Sequence, residues 1–172
     1  MDRLIRTMKY CKTTTQDHGL YRSYPSCHIK MSEIVTKEGG QGRLFSNEEV
    51  LNLDAIEELL AKREKRNQRN TMDIAFGCSV QNAKNGKITK RCMRLVEFKY
   101  KVTKVNNFKK ADFEDKVNGS IDILGRDIPI DREYYFVFKK EFDAQARNHI
   151  ARLFNNKTIY KAIADDKLLE MM

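Results

Sequence analysis

Two stretches of the chain alternate between apolar and more polar positions with a period of two residues. Within residues 73–80 the even positions are Ile, Phe, Cys and Val, and within residues 95–102 they are Val, Phe, Tyr and Val. This alternation predicts two β-strands, each with one face on a hydrophobic core. Between them, Asn85-Gly86 is a strong signal for the tight turn of an antiparallel hairpin.

The length of the hairpin loop decides which residues of the two strands face each other. A two-residue loop, Asn85-Gly86, would pair position 73 with position 98 and place Asp73 on the core face. A three-residue loop over residues 84–86, with the glycine left-handed in a bulge, instead pairs Asp73 with Glu97.

The apolar pattern favours the longer loop. Only this register keeps Ile74 on the same face as Val96, and a buried face fixes the register of a strand pair. The same register predicts that Cys78 lies directly opposite Cys92, which gives a check that is independent of the acidic residues.

Helical spacing and strand-like runs elsewhere complete a mixed pattern. Ser46 and Glu49 form a capping box that can begin the first helix, although Asp54 offers a second start. The predicted elements are a helix over residues 46–66, a short helix over 108–117 that stops at Asn118-Gly119, a strand or irregular hairpin over 121–130, a buried strand over 134–138, a helix from Asp143 and a last helix over 158–169. Residues 32–36 are compatible with one more strand. We therefore predict an α/β (α+β) fold, a central mixed sheet with an antiparallel hairpin, flanked by helices.

Length and composition favour a single compact unit. A chain of 172 residues is long enough to bury a core without disulfide bonds. Residues 46–172 carry the readable pattern and form the predicted α/β domain, whereas residues 1–45 are an N-terminal extension of unclear structure. No apolar run approaches the ~18 residues that span a bilayer, and the first residues lack the apolar run of a secretion signal. We therefore expect a cytoplasmic protein whose cysteines are free thiols.

Basic residues dominate the charge balance. The chain has 33 lysines and arginines against 24 acidic residues, a net charge of +9. Such an excess attracts polyanions, so we expect nucleic acid as the partner and no membrane. The candidate phosphate-contacting residues are Lys62, Arg63, Lys65, Arg66, Arg69, Lys101, Lys139 and Lys140. For the first five, a solvated helix end is the alternative interpretation, because cations also suit the negative end of a helix dipole.

Glu97 and Lys99 provide the candidate chemistry. They are two residues apart on one strand, so their side chains project from the same face, opposite the apolar Val96 and Phe98. Pairing with Glu97 brings Asp73 to a Cβ separation of ~4.5–5.5 Å. Two close carboxylates repel unless a cation lies between them, and a hard ion such as Mg²⁺ or Mn²⁺ suits oxygen ligands. Such an ion can activate water, and the lysine can orient that water or stabilise the developing charge.

This arrangement resembles the PD-(D/E)xK nuclease superfamily. Asp73-Ile74-Ala75-Phe76 is similar to the strand that the family's aspartate opens, and Leu95-Val96-Glu97-Phe98-Lys99-Tyr100 is similar to its apolar-flanked Glu-x-Lys strand. The resemblance covers residues 46–155 and implies a restriction-endonuclease-like fold and metal-dependent hydrolysis of phosphodiester bonds, in DNA more often than in RNA. It implies that Asp73 and Glu97 bind the metal, that Lys99 is the catalytic lysine, and that Glu57 or Glu58 adds a ligand from the first helix.

The sequence departs from the family pattern at two points. Met72 precedes Asp73 where the family name has proline. A further strand is also expected between the first helix and the aspartate, and only residues 65–71 are available to form it.

Two other classes of function compete with the nuclease interpretation. A non-enzymatic basic protein would bind nucleic acid or act as an adaptor in a virus-type or mobile-element-type assembly, and Glu97 and Lys99 would then form a simple ion pair. An inhibitor or immunity-type protein would bind a protein partner through an exposed apolar patch. A homo-oligomer is compatible with each of these.

The histidines and the remaining cysteines point to no second site. Cys11, His18, Cys27 and His28 have a spacing unlike that of zinc fingers, so we do not expect zinc. We expect His149, on the helix that begins at Asp143, to be a surface histidine rather than a catalytic one.

Overall fold

A computed structural model describes residues 8–82, 85–155 and 159–172 of the chain. Within these residues one seven-stranded mixed sheet is flanked by helices, which confirms the predicted mixed α/β class. The strands are β1 (Lys9–Tyr10), β2 (His28–Lys30), β3 (Glu49–Asn52), β4 (Ile74–Gln81), β5 (Ile88–Phe98), β6 (Ile130–Val137) and β7 (Tyr160–Ile163). The helices are α1 (Lys12–Asp17), α2 (Gly19–Ser23), α3 (Met31–Lys37), α4 (Leu53–Glu64), α5 (Lys110–Leu124), α6 (Asp143–Leu153) and α7 (Asp165–Leu169).

The sheet is antiparallel on one side and parallel on the other. Its order is β2-β3-β4-β5-β6-β7, and the short β1 also pairs with β4. The pairs from β2 to β5 are antiparallel, whereas β5, β6 and β7 are parallel neighbours. Parallel neighbours need a long crossover connection, and α5 and α6 supply the two that this sheet requires.

The β4–β5 hairpin has the register that the apolar pattern predicted. Cys78 lies opposite Cys92, and the pairing continues without a shift to the start of β4. Asp73 immediately precedes that start and therefore comes opposite Glu97. The period-two pattern thus places the two carboxylates side by side.

The turn end of the hairpin is less regular than predicted. A β-bulge lies between Val80 and Gln81. Gly86 has the predicted left-handed conformation, with a φ of 67°. Lys84, part of the predicted three-residue loop, lies outside the described residues. Because the irregularity is confined to the turn end, the register at Asp73 is unaffected.

The sheet has a buried core on each face. Ala75 and Leu95 belong to the core that α4, α5 and α6 cover, while Ile74 and Val96 belong to the core on the other face, which α3 and α7 cover. The alternation predicted only one core face for β5, and this is wrong: Glu97, on the side of Leu95, is 2% exposed. The reason is the crossover helix α5, whose apolar residues pack on this face.

The first predicted helix begins later than expected. Residues 49–52 form β3, which pairs with β4, and α4 begins at Leu53. The side chain of Asn52 caps it, accepting a hydrogen bond of 3.1 Å from the Ala55 N–H, so the predicted cap at Ser46 is wrong. A short apolar run can bury its side chains either as a strand or as a helix. Residues 49–52 form a strand because they pair with β4.

Three other element assignments differ from the predictions. Residues 32–36, a possible strand, lie in α3, and α5 continues through Asn118-Gly119 to residue 124, where a strand or hairpin was predicted. Residues 160–163 form β7 instead of continuing a last helix, because they pair with the parallel β6. By contrast, the buried strand over 134–138 and the helix from Asp143 are confirmed, as β6 and α6.

The segment between α4 and β4 is held by α5. Residues 65–72, all of which the structure describes, form no strand, so the additional strand of the family pattern is absent there. The Ser120 hydroxyl instead accepts a hydrogen bond of 2.8 Å from the Met72 N–H. At Gly119, a Cβ would overlap the carbonyl oxygen of Asn70. The glycine therefore lies inside the helix because the segment passes too close for any side chain.

The first described residues belong to the same sheet as the rest. Strand β1 pairs with β4 and β2 pairs with β3. Met31, Ile34 and Val35 of α3 are buried in the core on the Val96 face. Among the described residues, no helix has the length and apolar character required to cross a membrane.

Candidate active site

Asp73 and Glu97 form a buried acidic pair at one end of the central hairpin. Their relative exposures are only 8% and 2%. Directly opposed residues of antiparallel strands have Cβ atoms ~4.5–5.5 Å apart, close enough for the two carboxylates to repel. The main chain at Asp73 is also fixed, since its carbonyl oxygen accepts a hydrogen bond of 3.0 Å from the N–H of Leu53.

The protonation of Asp73 is strongly perturbed. Burial, and then the negative charge of Glu97, raise its pKa to about 7, against the lowering effects of a hydrogen bond from the Phe98 N–H and of the charge on Lys116. That hydrogen bond, 2.6 Å to Oδ2, ties the carboxylate to β5. Near neutral pH, the Asp73 carboxyl group is therefore protonated in some molecules and ionised in others. A cation that approaches the pair favours the ionised form.

Two lysines converge on a single oxygen of Glu97. The Nζ atoms of Lys99 and Lys116 both lie 2.7 Å from Oε1. The other oxygen, Oε2, is buried and has no hydrogen-bond partner among the described residues. An unpartnered buried carboxylate oxygen is costly, and beside a second carboxylate it is a natural ligand for a hard cation.

The two lysines differ in their surroundings. Lys99 is 16% exposed, and its Nζ lies 5.1 Å from the centre of the Phe108 ring, in a cation–π contact. Lys116 reaches Glu97 from α5 and is 26% exposed. Burial acts to lower the pKa of Lys116, but the carboxylates of Glu97, Asp73 and Asp54 together hold it above its usual value.

A polar cleft of about 410 Å³ adjoins this cluster. Its walls come from α3, from the start of α4, from the segment before β4 and from α5. They are lined by Lys37, Asn52, Asp54, Ala55, Glu57, Glu58, Gln68, Arg69, Asn70, Thr71 and Lys116. Lys116 thus belongs both to the cleft wall and to the acidic cluster, whereas Asp73, Glu97 and Lys99 do not line the cleft.

Of the carboxylates on the first helix, the predicted Glu57 and Glu58 are both paired with basic residues. Glu57 is buried, but Arg66 and the Arg69 N–H, the latter at 2.7 Å, already bind it and lower its pKa. Glu58 is exposed and pairs with Lys62 at 2.6 Å. Asp54 is instead the helix carboxylate whose charge acts on Asp73.

The donor set consists of a pair of carboxylates. Among the described residues, no three side chains of the histidine, cysteine, aspartate and glutamate types are grouped to hold a metal ion. Two carboxylates nevertheless fit Mg²⁺, which is commonly held by one or two carboxylates together with waters and substrate phosphates.

Most of the predicted phosphate-contacting residues already have acidic partners. Lys65 and Lys139 are exposed, and Arg69, the member of the set that lines the cleft, has only long contacts, 3.9 Å to Glu57 and 3.7 Å to Asp122. The other pairs are Lys62–Glu58, Arg63–Glu64, Arg66–Glu57, Lys101–Glu38 and Lys140–Asp166. Arg66–Glu57 involves a buried carboxylate, whereas the other four pairs are at least partly exposed and contribute little to stability.

The histidine and cysteine positions have structural roles. Cys11 caps α1, His18 accepts a hydrogen bond of 3.2 Å from the Leu20 N–H, and His28 stacks on Tyr21 with ring centres 3.6 Å apart. Cys27 is buried in the core beneath α4.

His149 does not lie on the surface, as was predicted, but is 8% exposed. Its Nε2 lies 2.9 Å from the carbonyl oxygen of Phe108. The helix α6 carries it into the interior because the same helix face also buries Ala146 and Ile150.

Sequence reasoning missed Asp54 and Lys116 as parts of the site. Asp54 attracted notice only as a possible helix start, yet its Oδ1 accepts a hydrogen bond of 2.5 Å from the Thr71 hydroxyl at the cleft. For Lys116 a signal did exist. It follows Phe113 by three residues within the helix predicted over 108–117, so it lies on the same face as that apolar residue, where a buried lysine requires an acidic partner.

Comparisons of the chain with known protein families, with curated protein sequences and with solved structures found no match.

Proposed function

We propose that this protein is a metal-dependent nuclease that hydrolyses phosphodiester bonds at the Asp73–Glu97 pair, with DNA as its class of substrate, as the resemblance to the PD-(D/E)xK superfamily implies. The observation that carries the proposal is the buried Oε2 of Glu97, which has no partner although it lies in a cluster of charged side chains. A cation bound there would also relieve the repulsion from Glu97 that, together with the larger effect of burial, raises the pKa of Asp73.

The residues fit a divalent ion. Asp73 and Glu97 would hold Mg²⁺ or Mn²⁺ through carboxylate oxygens, and the cleft beside them has room for waters and a substrate phosphate. When bound, such an ion polarises a phosphoryl oxygen and lowers the pKa of a coordinated water.

The protein's own groups orient the carboxylates and balance charge. Phe98 fixes the Asp73 carboxylate through its N–H, and Lys99 holds Oε1 of Glu97. With its ammonium group beside the carboxylate pair, Lys99 is placed to stabilise negative charge that develops on a phosphate. Because this environment is largely buried, each of these charge interactions is stronger than it would be in water.

The cleft and the overall charge support a polyanionic substrate. The walls carry three cations and three carboxylates, and two of the carboxylates, Glu57 and Glu58, are already paired with cations outside the lining. The cations are Lys37, Arg69 and Lys116. The net charge of +9 attracts nucleic acid over longer distances.

A cleavage assay tests the proposal. The purified protein is incubated with supercoiled plasmid, linear duplex DNA, single-stranded DNA and RNA, each with Mg²⁺, with Mn²⁺ and with EDTA. Asp73→Asn, Glu97→Gln and Lys99→Met are compared with the matched controls Asp115→Asn and Lys110→Met, which alter exposed residues of α5. Circular dichroism establishes that every variant is folded.

We expect metal-dependent cleavage by the wild type and both controls, and loss of cleavage in the three site variants. Cleavage that persists in the site variants would show that another site or a contaminant is responsible. Salt-sensitive binding without cleavage under any metal condition would replace the proposal with that of a non-enzymatic nucleic-acid-binding protein.

A further inference from the structure

Lys116 links the acidic pair to the cleft. Its Nζ lies 2.7 Å from Oε1 of Glu97, and its side chain lines the cleft wall. Asp73 and Glu97 themselves are not among the lining residues. Lys116 is therefore the side chain that both lines the cleft and contacts the acidic pair.

Lys99 and Lys116 are not equivalent, although they contact the same oxygen atom. Lys99 is the less exposed of the two and is held against the ring of Phe108 as well as against Glu97. Lys116 has no aromatic contact among those identified in the described residues, and it is the lysine open to the cleft. If Lys116 moves away, Glu97 still has Lys99 as a cationic partner. The buried carboxylate of Glu97 is therefore not left without a counter-charge.

Lys116 also has one further acidic neighbour, which lines the cleft. Asp54, whose charge acts on Lys116, lines the same cleft, and Lys37 and Arg69 bring two more cations to its walls. A flexible lysine stem can turn between the Glu97 carboxylate and an anion in the cleft. Because Glu57 and Glu58 in the lining are already paired with Arg66 and Lys62, the three lining cations are suited to bind a phosphate.

We propose that Lys116 is an exchangeable internal cation: it occupies the acidic pair when no divalent ion is bound and, once replaced, turns into the cleft and binds a phosphate of the nucleic acid. This role rests on the proposed nuclease function and deepens it, because it couples metal binding to substrate binding. Lys99 stays in place and keeps Glu97 oriented.

The two halves of the proposal predict effects of opposite sign in one variant. In the wild type, a divalent ion must break the charged hydrogen bond between Lys116 and Glu97 before it can bind. Lys116→Met has no such bond to break, so it should bind Mn²⁺ more tightly, by about tenfold. The same variant lacks a phosphate contact, so it should bind nucleic acid more weakly. A lysine with a purely structural role would not produce this reversal.

Isothermal titration calorimetry with Mn²⁺ alone measures the first effect, on wild type, Lys116→Met and the control Lys110→Met. Lys110 is an exposed lysine of the same helix, paired with Glu114 at 3.5 Å. Glu97→Gln identifies binding at the acidic pair. Circular dichroism and urea unfolding establish that the variants are folded.

Fluorescence anisotropy with a short single-stranded DNA measures the second effect. The measurement uses Ca²⁺, which takes the same oxygen ligands, and a gel checks that the DNA stays intact. For Lys116→Met we expect weaker binding and a dependence of log K on log salt that is shallower by about 0.7. Lys116→Arg, which keeps the charge, should retain the wild-type salt dependence.

The outcomes are distinguishable. Tighter Mn²⁺ binding together with weaker DNA binding in Lys116→Met, and neither change in Lys110→Met, supports the proposal. Mn²⁺ binding that depends on Glu97 but is unchanged or weaker in Lys116→Met overturns the role of Lys116 and leaves the nuclease proposal standing, as does unchanged DNA binding. No Mn²⁺ binding by any of the proteins overturns both proposals.

Discussion

The main-chain N–H of Phe98 donates a hydrogen bond of 2.6 Å to Oδ2 of Asp73. This contact joins the residue that opens β4 to the backbone of β5, next to Glu97. The carboxylate of Asp73 is thereby fixed beside a second carboxylate in a buried position, and its behaviour can be measured.

The pH dependence of stability should report on Asp73. Its pKa is raised from 3.8 to about 7, so the folded protein binds a proton more tightly than the unfolded chain does. Stability from this residue is therefore present in full below pH ~4 and is lost as the pH rises to about 7, by up to about 4 kcal/mol. Urea unfolding of wild type and Asp73→Asn between pH 4.5 and pH 8 measures this difference.

The comparison has an internal control. Asp115→Asn, which changes an exposed carboxylate of α5, should show the same pH profile as the wild type. Saturating Mg²⁺ should flatten the wild-type profile, since a bound cation favours the ionised pair. Identical profiles for wild type and Asp73→Asn would show that the carboxylate is not perturbed.

Gly119→Ala should destabilise the protein, although alanine usually favours a helix by ~1 kcal/mol relative to glycine. The reason is that a Cβ at this position would overlap the carbonyl oxygen of Asn70. We expect a loss of about 1–3 kcal/mol in the free energy of unfolding, as for other overpacked sites. Because the displaced segment carries cleft residues and leads into Asp73, cleavage should fall as well.

Urea unfolding is again the measurement, and Asn118→Ala, at the neighbouring exposed position of α5, is the control. It should be neutral or stabilising. An increase in stability for Gly119→Ala would mean that the segment before β4 does not pack closely against the helix.

Arg66→Met should lower stability more than Arg63→Met does. Arg66 binds the buried carboxylate of Glu57, whereas Arg63 makes only an exposed contact of 3.7 Å to Glu64. The Arg66 hydrogen bond lowers the pKa of Glu57, so the advantage of wild type over Arg66→Met should be present at neutral pH and should disappear as the pH falls below ~4. Equal urea midpoints for the two variants at pH 7 would contradict this role.

Arg66→Met also tests whether Arg66 has only a structural role or contacts the substrate as well. Because Arg66 is engaged with Glu57, we expect the salt dependence of DNA binding to be the same in folded Arg66→Met as in the wild type. Arg69→Met, by contrast, removes a cation of the cleft wall and should make that dependence shallower.

The thiols of Cys78 and Cys92 should be unreactive in the native protein. Burial raises their pKa values to about 12 and about 11, and both residues lie within the core. Since the thiolate is the reactive species, a thiol reagent at pH 8 should modify them only as fast as the protein unfolds. Rapid labelling of either cysteine without urea would show that this part of the hairpin opens readily.

The period-two pattern was sufficient to predict the central hairpin and its register. A slip of one residue would have moved Ile74 away from the face of Val96, so burial left one acceptable pairing. The position of Asp73 opposite Glu97 followed from that pairing and not from any property of the acidic residues themselves. The pair of Cys78 and Cys92 confirms the register at a point remote from the site.

Element boundaries in short apolar runs could not be predicted in the same way. Residues 49–52 and 160–163 became strands because β4 and β6 provide edges with which they pair. In isolation, their side chains are equally compatible with helix and strand. The extent of α5 could not be predicted either. Gly119 looked like the end of the helix, but it lies inside α5 because Asn70 passes too close for any side chain.

The sequence alone determined the mixed α/β class and the opposed carboxylates, because both depend on local periodicity and on burial of one strand face. The tertiary structure decided that the second face is buried too and that Arg66 binds Glu57. It also decided that Lys116 contacts Glu97 and that the charge of Asp54 acts on Asp73. These features arise where α4 and α5 cross the sheet. The packing of helices that are far apart in the chain fixes which charges meet there, and local sequence pattern carries no information about that packing.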